Sequence, residues 1–107
     1  MFKVLFTKQA GKDAVNIQRS KLKPQIEKIV TTVQTNPFEY SQSFEALKGR
    51  LSGKYSRRIN KEHRFVYEVL PNTDKIADSN GNIFECIVKV LSMWTHYENV
   101  QPLTYDK

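Results

Sequence analysis

The expected fold depends first on residues 55–70, whose sequence is YSRRINKEHRFVYEVL. Two strand-like segments, 55–60 and 63–70, lie on either side of the polar turn Asn60-Lys61-Glu62. Such segments joined by a short polar turn are typical of an antiparallel hairpin. We therefore predict that this part of the chain forms two neighbouring strands of a sheet.

Before the hairpin, the sequence predicts one strand and two helices. The apolar run Phe2–Phe6 is suited to a strand, and Thr7 offers an N-cap for a helix over residues 8–18. A second helix has Pro24 in its first turn and ends at Asn36-Pro37. Its apolar residues recur at helical spacing: Leu22, Ile26, Ile29, Val30 and Val33. Residues 37–46 are expected to be irregular.

After the hairpin, a polar loop over residues 71–82 contains the turn signal Asn80-Gly81-Asn82. Ile83–Thr95 is long, apolar and rich in β-branched residues, which favours a central strand. The order β-α-α-β-β-β predicts an α+β fold, with two N-terminal helices packed on one face of a mainly antiparallel sheet. A chain of 107 residues is expected to form one domain over residues 1–107, with a polar tail at 98–107.

Composition narrows the classes of function. The apolar start is too short for a signal peptide or a membrane span, so we expect a cytoplasmic protein with no membrane contact. The lone Cys86 cannot form an internal disulfide, and no Cys/His spacing resembles a metal site. We therefore expect neither a metal nor a cofactor.

Positive charge is concentrated in residues 48–64. This basic segment carries seven of the 17 Lys and Arg residues and one of the 11 acids, which leaves ten of each elsewhere. Four of the five arginines lie in it, and the planar guanidinium is suited to holding phosphate. Charge concentrated in this way indicates a surface for an anionic partner, and nucleic acid is the first candidate.

Two residues outside the segment add acid–base chemistry. Glu45 is an acid close before it, and His96 follows the last predicted strand. A carboxylate can take a proton from a 2′-OH, and a protonated imidazole can give one to a 5′-oxygen, which together allow cleavage of RNA. Glu45 could equally be a solvated charge that balances Lys48, and His96 a surface histidine that closes a strand. Tyr55, Trp94 and Tyr97 are candidates for stacking on unpaired bases.

Several stretches resemble one known family. They are Asn36-Pro37-Phe38-Glu39, Glu45-Ala46-Leu47-Lys48, Leu51-Ser52-Gly53, Ser56-Arg57-Arg58-Ile59, residues 62–67 and His96-Tyr97. Together they look like the YoeB/Txe toxins of the RelE superfamily, which belong to type II toxin–antitoxin systems. The resemblance runs from about residue 2 to residue 97 and implies a small fold like that of microbial ribonucleases.

The resemblance also implies an activity: a ribosome-dependent endoribonuclease that cuts mRNA in the ribosomal A site without a metal. Glu45 would be the general base and His96 the general acid, while Arg64 would contact the scissile phosphate. The implied substrate-binding residues are Lys48, Arg58 and Tyr97, and we predict that Arg57 of the basic segment and Trp94 also bind substrate. Cleavage would leave a 5′-hydroxyl and a 2′,3′-cyclic phosphate or 3′-phosphate.

The partners that the resemblance implies are mRNA, the ribosome and an antitoxin of the YefM/Phd type. Operator DNA would be bound only through the antitoxin complex, and a homodimer is a further assembly to consider. Three features differ from the family pattern: the segment 71–82 is longer, Trp94 stands where relatives often have a basic residue, and residues 98–107 follow the His-Tyr pair.

Two alternatives remain open at this point. A toxin of the ParE kind would share the fold and poison gyrase, although such an activity leaves the pair of Glu45 and His96 unexplained. A non-catalytic basic module that binds RNA or the ribosome would explain the basic segment alone.

Overall fold

The computed structural model describes residues 1–95, and these residues form two helices and a five-stranded sheet. In chain order the elements are β1 (Lys3–Phe6), α1 (Lys8–Arg19), α2 (Lys23–Thr35), β2 (Glu45–Ala46), a 3₁₀ turn (Gly49–Leu51), β3 (Lys54–Arg58), β4 (Arg64–Pro71) and β5 (Cys86–Thr95). His96, Tyr97 and the tail 98–107 lie outside the described residues.

The sheet has the strand order β1-β5-β4-β3-β2. The pairs β2–β3, β3–β4 and β4–β5 are antiparallel, and β1 lies parallel to β5. The predicted α+β fold with a mainly antiparallel sheet is therefore confirmed. Two details differ from the prediction. The segment expected to be irregular contains the short strand β2, and β5 begins at Cys86 rather than at Ile83.

The helices form where the local signals predicted them. Thr7 caps α1, since its Oγ1 accepts a hydrogen bond from the backbone N–H of Ala10 at 3.1 Å. Pro24 lies in the first turn of α2, where its missing N–H has no helical partner to lose. Both helices bury an apolar stripe against the sheet. The core lies between these layers and consists of Ala10, Ile17, Ile26, Ile29, Val33, Ile59, Phe65, Tyr67, Val88, Val90 and Met93.

The opposite face of the sheet is only partly covered. There the 3₁₀ turn packs Leu47 and Leu51 against Val66, with Leu91 beside them. Side chains alternate between the two faces of a strand, so Val66 points away from the helices that its neighbours Phe65 and Tyr67 contact. We call this surface, on β2, β3 and β4, the open face.

The loop between β4 and β5 folds as a short hairpin of its own. Ala77 and Ile83 form a β-bridge, and Gly81 closes the predicted turn with a φ of +87°, a conformation in which glycine has no Cβ to clash. The Asn72 side chain donates to the carbonyls of Ile76 and Phe84 and so ties the base of this hairpin together. In residues 1–95, no helix has the length and apolar character needed to span a membrane.

Candidate active site

The open face brings together four polar side chains from three neighbouring strands. Glu45 on β2 pairs with Ser56 on β3, and Arg58 on β3 pairs with Arg64 at the start of β4. Ser56, Arg58 and Arg64 share one face because strand side chains alternate and cross-strand partners lie on the same side. The pairing of Arg58 with Arg64 concentrates positive charge where an anion can bind.

Arg64 is held firmly at the centre of this group. Its Nε donates to Ser56 Oγ at 2.9 Å, and its Nη2 donates to the carbonyl of Ser43 at 2.8 Å. The same Nη2 lies 3.8 Å from Glu45 Oε1, and the exposed fractions are 12% for the Arg64 side chain and 50% for that of Glu45. An ion pair this open contributes little to stability. Its chemical value is that a carboxylate able to take a proton stands beside a guanidinium able to hold a phosphate.

Arg57, a predicted substrate-binding residue, has a different position. Its side chain is fully buried on the helix side of the sheet, with an exposed fraction of 0%. Its Nη1 donates to the Ser41 carbonyl at 2.8 Å, and its Nη2 donates to the carbonyls of Pro37 at 3.0 Å and Glu39 at 2.7 Å. The prediction that Arg57 contacts substrate is therefore wrong, because its charge is directed inward at backbone oxygens.

The guanidinium of Arg57 instead organises the segment 37–44, which leads into Glu45. In this segment Gln42 and Ser43 both have positive φ values, of 53° and 54°, which L residues adopt only when their surroundings hold them. The Gln42 carbonyl accepts from the backbone N–H of Arg58, and the next carbonyl is the one that holds Arg64. The position of Glu45 on β2 thus depends on the buried cation Arg57, which belongs to β3.

Tyr67 completes the surroundings of Arg57. Its hydroxyl accepts from Arg57 Nε at 3.0 Å and donates to the Pro37 carbonyl at 2.5 Å. Burial raises the pKa of this hydroxyl above its ordinary value of 10.0, although the nearby guanidinium acts in the opposite direction. Tyr67 therefore keeps its proton and can make both hydrogen bonds.

The aromatic candidates Tyr55 and Trp94 differ in their surroundings. The ring of Tyr55 contacts the rings of Phe38, Phe44 and Tyr67, so it belongs to an aromatic cluster and does not offer a free face for stacking. Trp94 is partly buried, and one face of its indole stacks on His63 with 4.2 Å between ring centroids. His63 lies in the β3–β4 turn directly before Arg64, so the stack joins the end of β5 to that turn.

The remaining predicted residues divide into three sets. Lys48 is exposed at the start of the 3₁₀ turn, and Arg58 is exposed on β3, so both are accessible to a polyanion. Glu45 and Arg64 come together, as described above. His96 and Tyr97 fall outside the described residues. The residue before His96 in the sequence, Thr95, pairs with Arg64.

Sequence reasoning missed Ser56, Ser43 and the structural role of Arg57. Ser56 and Arg57 could have been assigned from alternation along the predicted strand, which places Ser56 with Arg58 and Arg57 with Tyr55. No local signal marks the Ser43 carbonyl.

Within residues 1–95, no three His, Cys, Asp or Glu side chains converge as a metal site. A groove of about 390 Å³, lined by Leu5, Leu70 and Ile87 among others, contains none of the predicted site residues.

Comparison with known proteins identifies the family. Residues 6–81 match the model of the YoeB-like toxin of bacterial type II toxin–antitoxin systems. Toxin YoeB of Synechocystis is 38% identical over 86 residues, which cover 78% of this chain and 92% of that protein.

Solved structures agree with the sequence match. A YoeB/ParE toxin from Agrobacterium tumefaciens superposes with a TM-score of 0.70 at 30% identity, over 90% of this chain and all of that one. YoeB of Staphylococcus aureus, described as a heterotetrameric complex with YefM and also as a dimer, is 31% identical. Its TM-scores are 0.65 in the complex, over 91% of this chain and 99% of that one, and 0.66 in the dimer, over 90% and 98%. The chain therefore belongs to the YoeB-like toxins of bacterial type II toxin–antitoxin systems.

Proposed function

We propose that this toxin is a ribosome-dependent endoribonuclease that cleaves mRNA in the ribosomal A site and so inhibits translation. The observation that carries the proposal is the pairing of Glu45 with Arg64, 3.8 Å apart on the open face of the sheet. The proposal takes residues 1–107 as one catalytic domain and places the protein in the cytoplasm, where translating ribosomes are found.

In this proposal cleavage is general acid–base catalysis. Glu45 takes the proton of the 2′-OH, and the 2′-oxygen then attacks the adjacent phosphorus. Arg64 stabilises the charge that develops on the non-bridging oxygens, and its bonds to Ser56 and Ser43 hold it in place before the reaction begins. His96 gives a proton to the departing 5′-oxygen. The products are a 2′,3′-cyclic phosphate and a 5′-hydroxyl.

Substrate contacts are proposed for two exposed cations and for two aromatic residues at or just after the end of β5. Lys48 and Arg58 would bind the messenger or ribosomal backbone, while Trp94 and Tyr97 would stack on bases. Half of the Glu45 side chain is exposed to solvent, so the reacting nucleotides need an external support to reach an in-line geometry. The ribosome would supply that support.

An antitoxin completes the proposal. The YoeB of Staphylococcus aureus is found in a complex with YefM and also as a dimer. We propose that an antitoxin of the YefM/Phd type covers the open face of this toxin, and that operator DNA is bound through the antitoxin part of the complex. A homodimer is the form proposed for the free toxin.

The proposal is tested by expressing the toxin in bacteria and mapping mRNA 5′-ends on translating ribosomes. We expect growth arrest and 5′-ends phased with codons, which Glu45→Gln, Arg64→Ala and His96→Ala each abolish. Glu62→Gln is the matched control for Glu45→Gln, because Glu62 is an exposed acid within the basic segment, with 79% of its side chain accessible. Undiminished cleavage by the His96 and Glu45 variants would contradict the mechanism. DNA damage without phased ends would indicate a gyrase poison, and salt-sensitive ribosome binding without cleavage a binding module.

A further inference from the structure

The end of β5 does not follow a regular ladder with β4. Tyr67 pairs with Val90, Val66 with Ser92 and Arg64 with Thr95. Over this stretch β5 therefore contains two residues more than β4, and the pairing register shifts twice. Such β-bulges leave backbone groups without ladder partners and turn the strand in a new direction.

Helix α1 holds this bulged end at two points. The carboxylate of Asp13 accepts a hydrogen bond from the backbone N–H of Met93 through Oδ2 at 2.9 Å. Six residues earlier, Oγ1 of the N-cap residue Thr7 donates to the carbonyl of Leu91 at 3.1 Å. The two contacts lie on either side of Ser92, so side chains of one helix satisfy the backbone of the irregular segment.

Asp13 is an unusual residue for the core surface of α1. Its exposed fraction is 5%, and it lies among the apolar positions Ala10, Ala14 and Ile17. A buried carboxylate is costly unless hydrogen bonds satisfy it, and here Met93 and the Gln9 side chain, at 2.9 Å, provide them. An apolar residue would pack at this position without that cost but could not hold the strand.

We propose that Asp13 is a positioning residue for catalysis. Its carboxylate fixes the bulged end of β5, which carries Trp94 and Thr95, the two residues that directly precede His96 in the sequence. This inference rests on the proposed function, in which His96 is the general acid. Without the Asp13 carboxylate the end of β5 is no longer fixed, and a displacement of about 1 Å at a catalytic group lowers a rate by about 100-fold.

The experiment uses two programmed-ribosome substrates that differ at the leaving group. One carries the natural 5′-oxygen at the scissile linkage, and the other carries sulfur at that bridging position. When the P–S bond breaks, sulfur leaves as a thiolate and needs no proton, so a misplaced acid no longer limits the rate. We expect Asp13→Leu to lower kcat about 100-fold on the oxygen substrate, with KM unchanged, and to approach the wild-type rate on the sulfur substrate.

Three comparison variants make this expectation specific. His96→Ala should show the same recovery with sulfur, whereas Glu45→Gln should remain impaired on both substrates. Asp13→Asn keeps an oxygen acceptor for the Met93 N–H and should recover most of kcat. If Asp13→Leu does not fold, Thr7→Val removes the other contact with the β5 bulge and should show the same recovery to a smaller degree.

The outcomes separate the inference from the proposed function. Equal losses on both substrates, or no loss on either, would overturn the positioning role of Asp13. A wild-type toxin that cleaves neither substrate would overturn the proposed function, and with it the catalytic role of Asp13. In that case the fluorescence of Trp94, the single tryptophan of the chain, still reports on the strand end. A spectrum that Asp13→Leu leaves unchanged would show that the carboxylate does not fix β5.

Discussion

Replacing Arg57 by methionine should destabilise this toxin severely. Methionine fills a similar length of space but donates no hydrogen bond, so the carbonyls of Pro37, Glu39 and Ser41 each lose one of their two hydrogen bonds. They keep the second, which comes from the Tyr67 hydroxyl, the Ser41 N–H and the Phe44 N–H, respectively. A hydrogen bond to a charged group contributes about 1.5–3 kcal/mol to stability, which gives about 4.5–9 kcal/mol for the three bonds that are lost. Water can reach the partly buried carbonyls once the loop relaxes, and removing a buried charge is itself favourable. We therefore expect a loss of about 3–5 kcal/mol in the free energy of unfolding.

The measurement is urea unfolding at equilibrium in a His96→Ala background, which the proposed mechanism predicts to be non-toxic. For a protein of this size, with a slope of about 2 kcal/mol per molar urea, the midpoint should fall by about 2 M. Lysine at position 57 should be intermediate, because a single ammonium group cannot match the planar fork that reaches several carbonyls at once.

Arg58→Met is the matched control, since Arg58 is the next residue on the same strand but is exposed on the open face. We expect its free energy of unfolding to stay within about 0.5 kcal/mol of the reference. Equal urea midpoints for Arg57→Met and Arg58→Met would refute the buried role that we assign to Arg57.

Three further predictions concern the same network and the helix cap. Burial raises the pKa of the Tyr67 hydroxyl in the folded protein, so the unfolded chain loses this proton first as the pH rises above about 10. The free energy of unfolding of the wild type should therefore fall above about pH 10. In Tyr67→Phe that part of the decline should disappear, and urea midpoints at about pH 8 and about pH 11 would detect it. Ser56→Ala removes the 2.9 Å bond to Arg64 Nε and should lower kcat for mRNA cleavage, with a change of about 1 kcal/mol in stability; an unchanged kcat would argue against preorganisation of Arg64. Thr7→Ala removes both the cap of α1 and the bond to Leu91, so it should cost about 1–2 kcal/mol in thermal unfolding, while Thr7→Ser should restore most of the loss.

The elements that depend on neighbouring residues were predictable. Thr7 and Pro24 marked the helix starts because a cap hydroxyl and a missing N–H act within one turn. The hairpin of β3 and β4 followed from two strand patterns around a polar turn. Strand β2 was missed, since its two residues, Glu45 and Ala46, are too few to show the alternation of apolar and polar residues that marks a strand.

The candidate site was predictable only in part. The resemblance to YoeB toxins named Glu45 and Arg64, and the fold brings them to 3.8 Å. Concentrated charge made all the arginines of the basic segment look alike, although the sheet turns Arg57 inward and Arg58 outward. The roles of His96 and Tyr97 stay predictions.

By itself, the sequence of this protein determined where its helices begin, which segments pair as a hairpin and where its positive charge is concentrated. These features depend on periodicity, caps and composition, which act over a few residues. Only the tertiary structure decided which charges face solvent, which carbonyls the Arg57 guanidinium meets, and how Asp13 reaches the irregular end of β5, 80 residues away. Those contacts depend on strand register and on helix-to-sheet packing, and no local pattern in the chain contains them.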